Sequence, residues 1–127
     1  MVRLPISIGS HSPLMAKASE GMNRLLQRLP MRDPHRPLIG NVNAEVLETQ
    51  PEVYVELRDQ LLSGVKWQKS FEEMEAQGVD LFVEAGPGNV LTRLARRIDY
   101  SVNSLSLSDD HEGLLSERFA LVEAAAR

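Results

Sequence analysis

The stretch Ile8-Gly9-Ser10-His11-Ser12-Pro13-Leu14-Met15 holds the residue best suited to chemistry. A short apolar run from Leu4 to Ile8 stops at a glycine, His11 follows, and Ser12-Pro13 opens an amphipathic segment. That order places an imidazole at a strand-to-helix junction, where side chains reach into clefts. Histidine is the side chain whose unperturbed pKa lies near neutrality, so a positioned one serves as a general base or acid. The competing reading is a capping or packing histidine at a helix start. A nucleophile is harder to find. Ser10 and Ser12 flank His11 in sequence only, no Gly-x-Ser-x-Gly elbow occurs, and there is no cysteine to supply a thiolate or a thiol-based metal site. His11, His35 and His111 stand too far apart to form a His-x-x-x-His ligand pair. His35, between Pro34 and Arg36, reads as a solvated loop residue.

Two further clusters have a sharp and a plain reading. Gly86-Pro87-Gly88 lies between an apolar run and an amphipathic one, where a phosphate cradle could sit. Leu91 stands where the dinucleotide fingerprint needs its third glycine, and the lysine of a P-loop is missing, which favours a structural turn. Arg93, Arg96 and Arg97 share one side of a helix at spacings of three and four. They either solvate a helix C-terminus or dock an acidic partner. Glu72, Glu73 and Glu75 read as a solvated helix face, with Glu75 nearest the apolar side.

The elements that must position these groups follow from periodicity. Leu4–Ile8 alternates like a strand, confined to an edge or a start by Pro5. Ser12 caps a helix that Pro30 ends, with Leu14, Ala18, Met22, Leu25 and Leu29 expected inward. Leu38–Val42 suits a buried strand and Asn43–Gln50 a loop. Glu52–Leu62 is a helix with Val53, Leu57, Leu61 and Tyr54 inward, and Trp67–Gln77 another on a Trp67, Phe71, Met74 stripe. Leu81–Ala85 is a strand, and Asn89–Ile98 a helix with Val90, Leu91, Leu94 and Ile98 inward. Ser101–Leu107 is a strand with Val102, Leu105 and Leu107 inward, and Asp109-Asp110 caps a last helix at Glu112–Ala125. Alternation of strands and helices predicts an α/β layered fold with a mainly parallel sheet. The net charge of −4 and pI near 5.4 argue against a nucleic-acid module. No apolar run approaches the ~20 residues that span a bilayer. With no signal-peptide core at the start, a cytoplasmic protein that engages neither membrane nor nucleic acid is expected.

Three blocks together resemble one family. Ser10-His11-Ser12-Pro13-Leu14-Met15 is similar to the histidine motif of malonyl-CoA:acyl-carrier-protein transacylases and related polyketide acyltransferase domains. Val65-Lys66-Trp67-Gln68-Lys69-Ser70, with Gln60 upstream, resembles the next block. Val83-Glu84-Ala85-Gly86-Pro87-Gly88-Asn89-Val90-Leu91 resembles the strand-turn-helix near the family's C-terminus. Their order and spacing agree with the family from about Pro5 to about Leu107. The resemblance implies that residues 1–127 form the C-terminal part of an α/β-hydrolase-like acyltransferase domain, with a mainly parallel sheet flanked by helices.

It also implies a chemistry. A serine in a Gly-His-Ser-x-Gly elbow attacks the malonyl-CoA thioester, and a histidine takes its proton and later activates the phosphopantetheine thiol of acyl carrier protein. His11 matches that histidine, and Gln60 matches the residue whose backbone carbonyl orients it. No cofactor or metal is implied beyond the phosphopantetheine carried by the partner. Carrier proteins are acidic, so Arg93, Arg96 and Arg97 are candidates for a carrier-facing surface. The family's nucleophile, oxyanion donors and malonyl-binding arginine precede its histidine block, and only ten residues precede His11. The expected partners are therefore malonyl-CoA, acyl carrier protein and a missing N-terminal half. Alone, the chain is expected to be inactive. The rival expectation is a non-catalytic α/β binding or assembly module built on the same scaffold.

Overall fold

The computed structural model describes residues 8–108. The strand expected at Leu4–Ile8, apart from Ile8 itself, and the helix expected at Glu112–Ala125 lie outside the described residues, as does His111. The chain divides into two compact units, Met1–Gln77 and Gly78–Arg127.

Among the described residues, the first regular element of the first unit is a 3-10 turn at Pro13–Met15, which continues into α1, Ala16–Leu26. The Oγ of Ser12 accepts from the Leu14 amide at 3.3 Å and Pro13 occupies the first turn, as its fixed φ allows. α1 ends four residues before Pro30, because the last amides tighten into short-range turns (Arg28 to Leu25 and Leu29 to Leu26) ahead of the proline. α2, Gln50–Asp59, packs on α1. Its start is held by Glu52, whose carboxylate accepts from the amides of Glu48 and Thr49, each at 2.9 Å.

The face of α1 that is buried differs from the expected one. Ser19 and Leu26 are buried and Asn23 half-buried, whereas Leu14, Leu25 and Leu29 are 84%, 60% and 56% exposed. The reason is polar pairing across the helices. The Ser19 hydroxyl donates to the Arg58 carbonyl at 3.3 Å, and the Tyr54 hydroxyl donates to Asn23 Oδ1 at 2.8 Å. One turn forward along α1 is matched by one turn back along α2, so the two helices run antiparallel. Val53, Tyr54 and Leu57 of α2 are half-buried, as expected, and so is Leu61 in the turn beyond it, since the helix stops at Asp59 rather than Leu62.

β1 is only Leu38–Ile39, shorter than the expected Leu38–Val42. It pairs antiparallel with β2, Val46–Leu47, inside the stretch expected as loop. Ala44, in the left-handed region at φ 62°, turns the chain back, and Gly40 donates its amide to the Glu45 carbonyl at 2.9 Å. This short pair is antiparallel within a fold expected to be mainly parallel. Glu56 on α2 holds the same loop by accepting from the Asn41 amide at 2.7 Å. A Cβ on Gly40 would stand 2.8 Å from Glu56 Oε2, so glycine is what admits the carboxylate. α3, Trp67–Ala76, lies against β1, with Phe71 fully buried and the Ser70 hydroxyl donating to the Gly40 carbonyl at 2.9 Å. Gly78 follows it at φ 83°, a left-handed helix exit.

The second unit is a β-α-β unit: β3, Leu81–Glu84, then α4, Val90–Ile98, then β4, Asn103–Ser106, with β3 and β4 parallel. Glu84, the last strand residue, caps α4. Its carboxylate accepts from the amides of Leu91 at 3.1 Å and Thr92 at 2.9 Å and from the Thr92 hydroxyl at 2.8 Å. Those donors, the Thr92 amide above all, hold the Glu84 carboxyl below its usual range. The expected inward faces are met only in part here: Leu94 and Ile98 of α4 are half-buried, as are Val102 and Leu105. Thr92 and Ala95 are the buried residues of α4, while Val90 and Leu91 are 55% and 42% exposed. On β4 the serines at 104 and 106 are buried and Leu107 is exposed. Buried hydroxyls are tolerated because each finds a partner. Ser104 Oγ takes Arg96 Nε at 3.1 Å, and Ser106 Oγ donates to the Gly88 carbonyl.

Candidate active site

His11 is built into the turn before α1. Gly9 lets Leu14 fold back: a Cβ there would stand 2.8 Å from Leu14 Cδ1. The Ser12 hydroxyl donates to the Gly9 carbonyl at 2.7 Å and the Met15 amide bonds the Ser12 carbonyl at 3.0 Å. Between these ties His11 adopts φ 59°, the left-handed region. A non-glycine residue there costs roughly 1–3 kcal/mol, which the surrounding turn must offset, and such residues cluster at functional sites.

That conformation points the imidazole across to α2. Nδ1 of His11 stands 2.9 Å from the main-chain oxygen of Gln60, forty-nine residues on. A carbonyl oxygen can only accept, so in the neutral ring the proton is on Nδ1 and Nε2 keeps its lone pair. Gln60 is the C-cap of α2, where helix carbonyls lack intrahelical partners. The amides of Leu62 and Ser63 both turn to the Asp59 carbonyl, at 3.1 Å each. The carbonyls on either side are taken by side chains: Arg58 by Ser19 and Gln60 by His11. His11 and Gln60 are therefore brought together, through main chain on one side, and Ser19 is a residue that sequence reasoning passed over. Its signal, a serine inside an amphipathic helix, is weak.

Beside this pair, Arg58 and Asp59 form an exposed ion pair with Nε 2.7 Å from Oδ1, which holds the Asp59 carboxyl low and the Arg58 guanidinium high. An open cavity of ≈ 280 Å³ in the same unit, lined in part by Gly40, Val42, Leu47, Val55, Glu56 and Asp59, reaches the residue before Gln60 but is lined by neither His11 nor Gln60. Among the described residues no group of three or more His, Cys, Asp or Glu could hold a metal ion, and no helix is long and apolar enough to cross a membrane.

In the second unit the three arginines differ. Arg96 turns back onto β4, with Nη2 2.6 Å from the Ser104 carbonyl in addition to its Nε bond. Arg93 and Arg97 are exposed, as Arg96 is despite these bonds. The Gly86-Pro87-Gly88 turn is bound by serines: Ser108 Oγ donates to the Gly86 carbonyl at 2.6 Å and accepts from the Gly88 amide at 2.9 Å. Gly88, at φ 81°, needs its glycine freedom. The committed Gly88 amide favours the structural-turn reading over a phosphate cradle.

No protein-family model matches the chain. The malonyl CoA-acyl carrier protein transacylase of Bacillus subtilis is 32% identical over 108 residues, 85% of this chain and 34% of that protein. The chain matches a C-terminal portion of the malonyl-CoA:acyl-carrier-protein transacylase family. The crystal structure of an acyl carrier protein S-malonyltransferase from Vibrio cholerae superposes with a TM-score of 0.79 at 34% identity, covering 91% of this chain and 37% of that one. A malonyl-transacylase solved in complex with a type II polyketide synthase acyl carrier protein superposes at 0.76 with 30% identity, covering 84% and 34%. The α/β fold is thus that of a C-terminal piece of these transferases, and the chain spans about a third of the length of the curated relatives it matches.

Proposed function

We propose that the chain is the histidine-bearing part of an acyltransferase that moves malonyl from malonyl-CoA to the phosphopantetheine thiol of acyl carrier protein. The observation that carries this reading is the 2.9 Å bond from His11 Nδ1 to the Gln60 carbonyl. It leaves Nε2 as a base of fixed orientation, the logic of a triad whose third member is main chain. In the full reaction a serine hydroxyl attacks the thioester carbonyl and its proton passes to Nε2. Coenzyme A leaves as the thiol, carrying a proton from His11. The carrier thiol then gives its proton to Nε2 and attacks the malonyl-serine ester, and the serine oxygen leaves taking that proton from Nε2, which restores both groups. The serine belongs to the part of the family that this chain does not match, and no cofactor enters beyond the carrier's own phosphopantetheine.

The exposed apolar side of α1 and of the segments flanking it, with Ile8, Leu14, Leu25 and Leu29 all more than half exposed, supports a remaining portion that covers it. Arg93 and Arg97, with Arg96 tied to β4, are the charges offered to an acidic carrier. Malonyl transfer is measured on this chain alone and on a chimera in which it replaces the matching segment of the Bacillus subtilis relative. Turnover in the chimera, lost on His11→Ala, with none from the chain alone, is the expected result. A chimera that folds and does not turn over would favour a non-catalytic module.

A further inference from the structure

We infer that Ser19 is a positioning residue for His11, acting through the last turn of α2. This rests on the reading of His11 as the base. Ser19 is 7% exposed and stands inside α1, where a serine ordinarily bonds a carbonyl of its own helix. Here its hydroxyl crosses to the Arg58 carbonyl at 3.3 Å. Arg58 and Gln60 flank Asp59, whose carbonyl takes both following amides. At the end of α2 the α1 segment claims both the Arg58 and the Gln60 carbonyl, one by Ser19 and one by His11. Ser19 fixes the distance between the α1 segment and the α2 terminus two residues from the atom His11 needs. Without it the end of α2 is free to fray, as helix ends do, and the Gln60 carbonyl drifts out of reach of Nδ1. Among the described residues, a left-handed His11 held by one long-range bond has no other tie that selects the Nδ1-protonated tautomer.

The tautomer is read directly from the ¹⁵N shifts of the His11 ring in the full chain. In the unaltered chain the protonated-type signal is expected at Nδ1. Ser19→Ala moves it toward Nε2, the form favoured by a solvated imidazole, and Ser19→Thr, which keeps the hydroxyl, restores it. Ser19→Cys keeps the volume and weakens the donor, and makes the same comparison should the alanine variant not fold. Tyr54→Phe removes the other cross-link between α1 and α2, the one to Asn23, and leaves the His11 signals in place. Wild-type shifts in folded Ser19→Ala or Ser19→Cys would overturn the inference, and so would an equal change in Tyr54→Phe. Loss of the catalytic reading shows separately, as a chimera in which His11→Ala keeps its turnover.

Discussion

Nδ1 of His11 and the main-chain oxygen of Gln60 meet at 2.9 Å although one precedes α1 and the other ends α2. The partner is a backbone atom, so the two positions respond differently to substitution. His11→Ala in the active chimera is expected to lower kcat by about 100- to 10,000-fold, the usual share of a general base. Gln60→Ala leaves the carbonyl in place and is expected to shift the barrier by no more than about 0.5 kcal/mol. Steady-state kinetics on the two variants check both figures, and a large loss in Gln60→Ala would move the role to its side chain.

Gly40 and Glu56 form a second matched pair. Gly40→Ala pushes a methyl against Glu56 Oε2 and drives the carboxylate off the Asn41 amide. A loss of about 1–3 kcal/mol is expected in urea unfolding. Combined with Glu56→Ala the losses add to less than their sum, because both variants break the same contact. Full additivity would show that the loop does not depend on this carboxylate.

Glu84 makes the second unit sensitive to acid. Its folded pKa is depressed, chiefly by the Thr92 amide, so its stabilisation is present above the ordinary glutamate value of about 4.3 and is lost as pH falls below it through the lower folded value. Glu84→Gln is expected to flatten that acid limb and to leave α4 less well capped at neutral pH. Unfolding midpoints between about pH 3 and pH 6 measure it. An unchanged slope in the variant would assign the limb to other carboxylates.

The arginines of α4 separate by role. Arg96→Ala removes two bonds to Ser104 and is expected to cost about 1–3 kcal/mol of stability. Arg93→Glu and Arg97→Glu, both exposed, leave stability nearly unchanged. In the chimera they raise the KM for acyl carrier protein most at low salt. A KM unaffected at every ionic strength would place the carrier elsewhere.

Local order was legible without coordinates. Ser12-Pro13 opens the turn before α1, and α3, β3 and α4 fall within a residue of the boundaries their periodicity and flanking glycines set. Three motif blocks pointed to the family on residue identity alone. Which face each element buries was a different matter. Apolar spacing assigned Leu14 before α1, Leu25 of α1, and Val90 and Leu91 of α4 to the interior, and the folded chain leaves these exposed and buries Ser19, Thr92, Ser104 and Ser106. A hydroxyl goes inside only when a partner carbonyl, carboxylate or guanidinium is waiting, and those partners come from other segments, eight to thirty-nine residues away. The same holds at the candidate site. The sequence by itself determined that a histidine stands between a glycine turn and a helix start. Only the tertiary structure decided that a left-handed backbone turns it toward the end of α2, because the atom it meets there is a main-chain oxygen that every residue type carries alike.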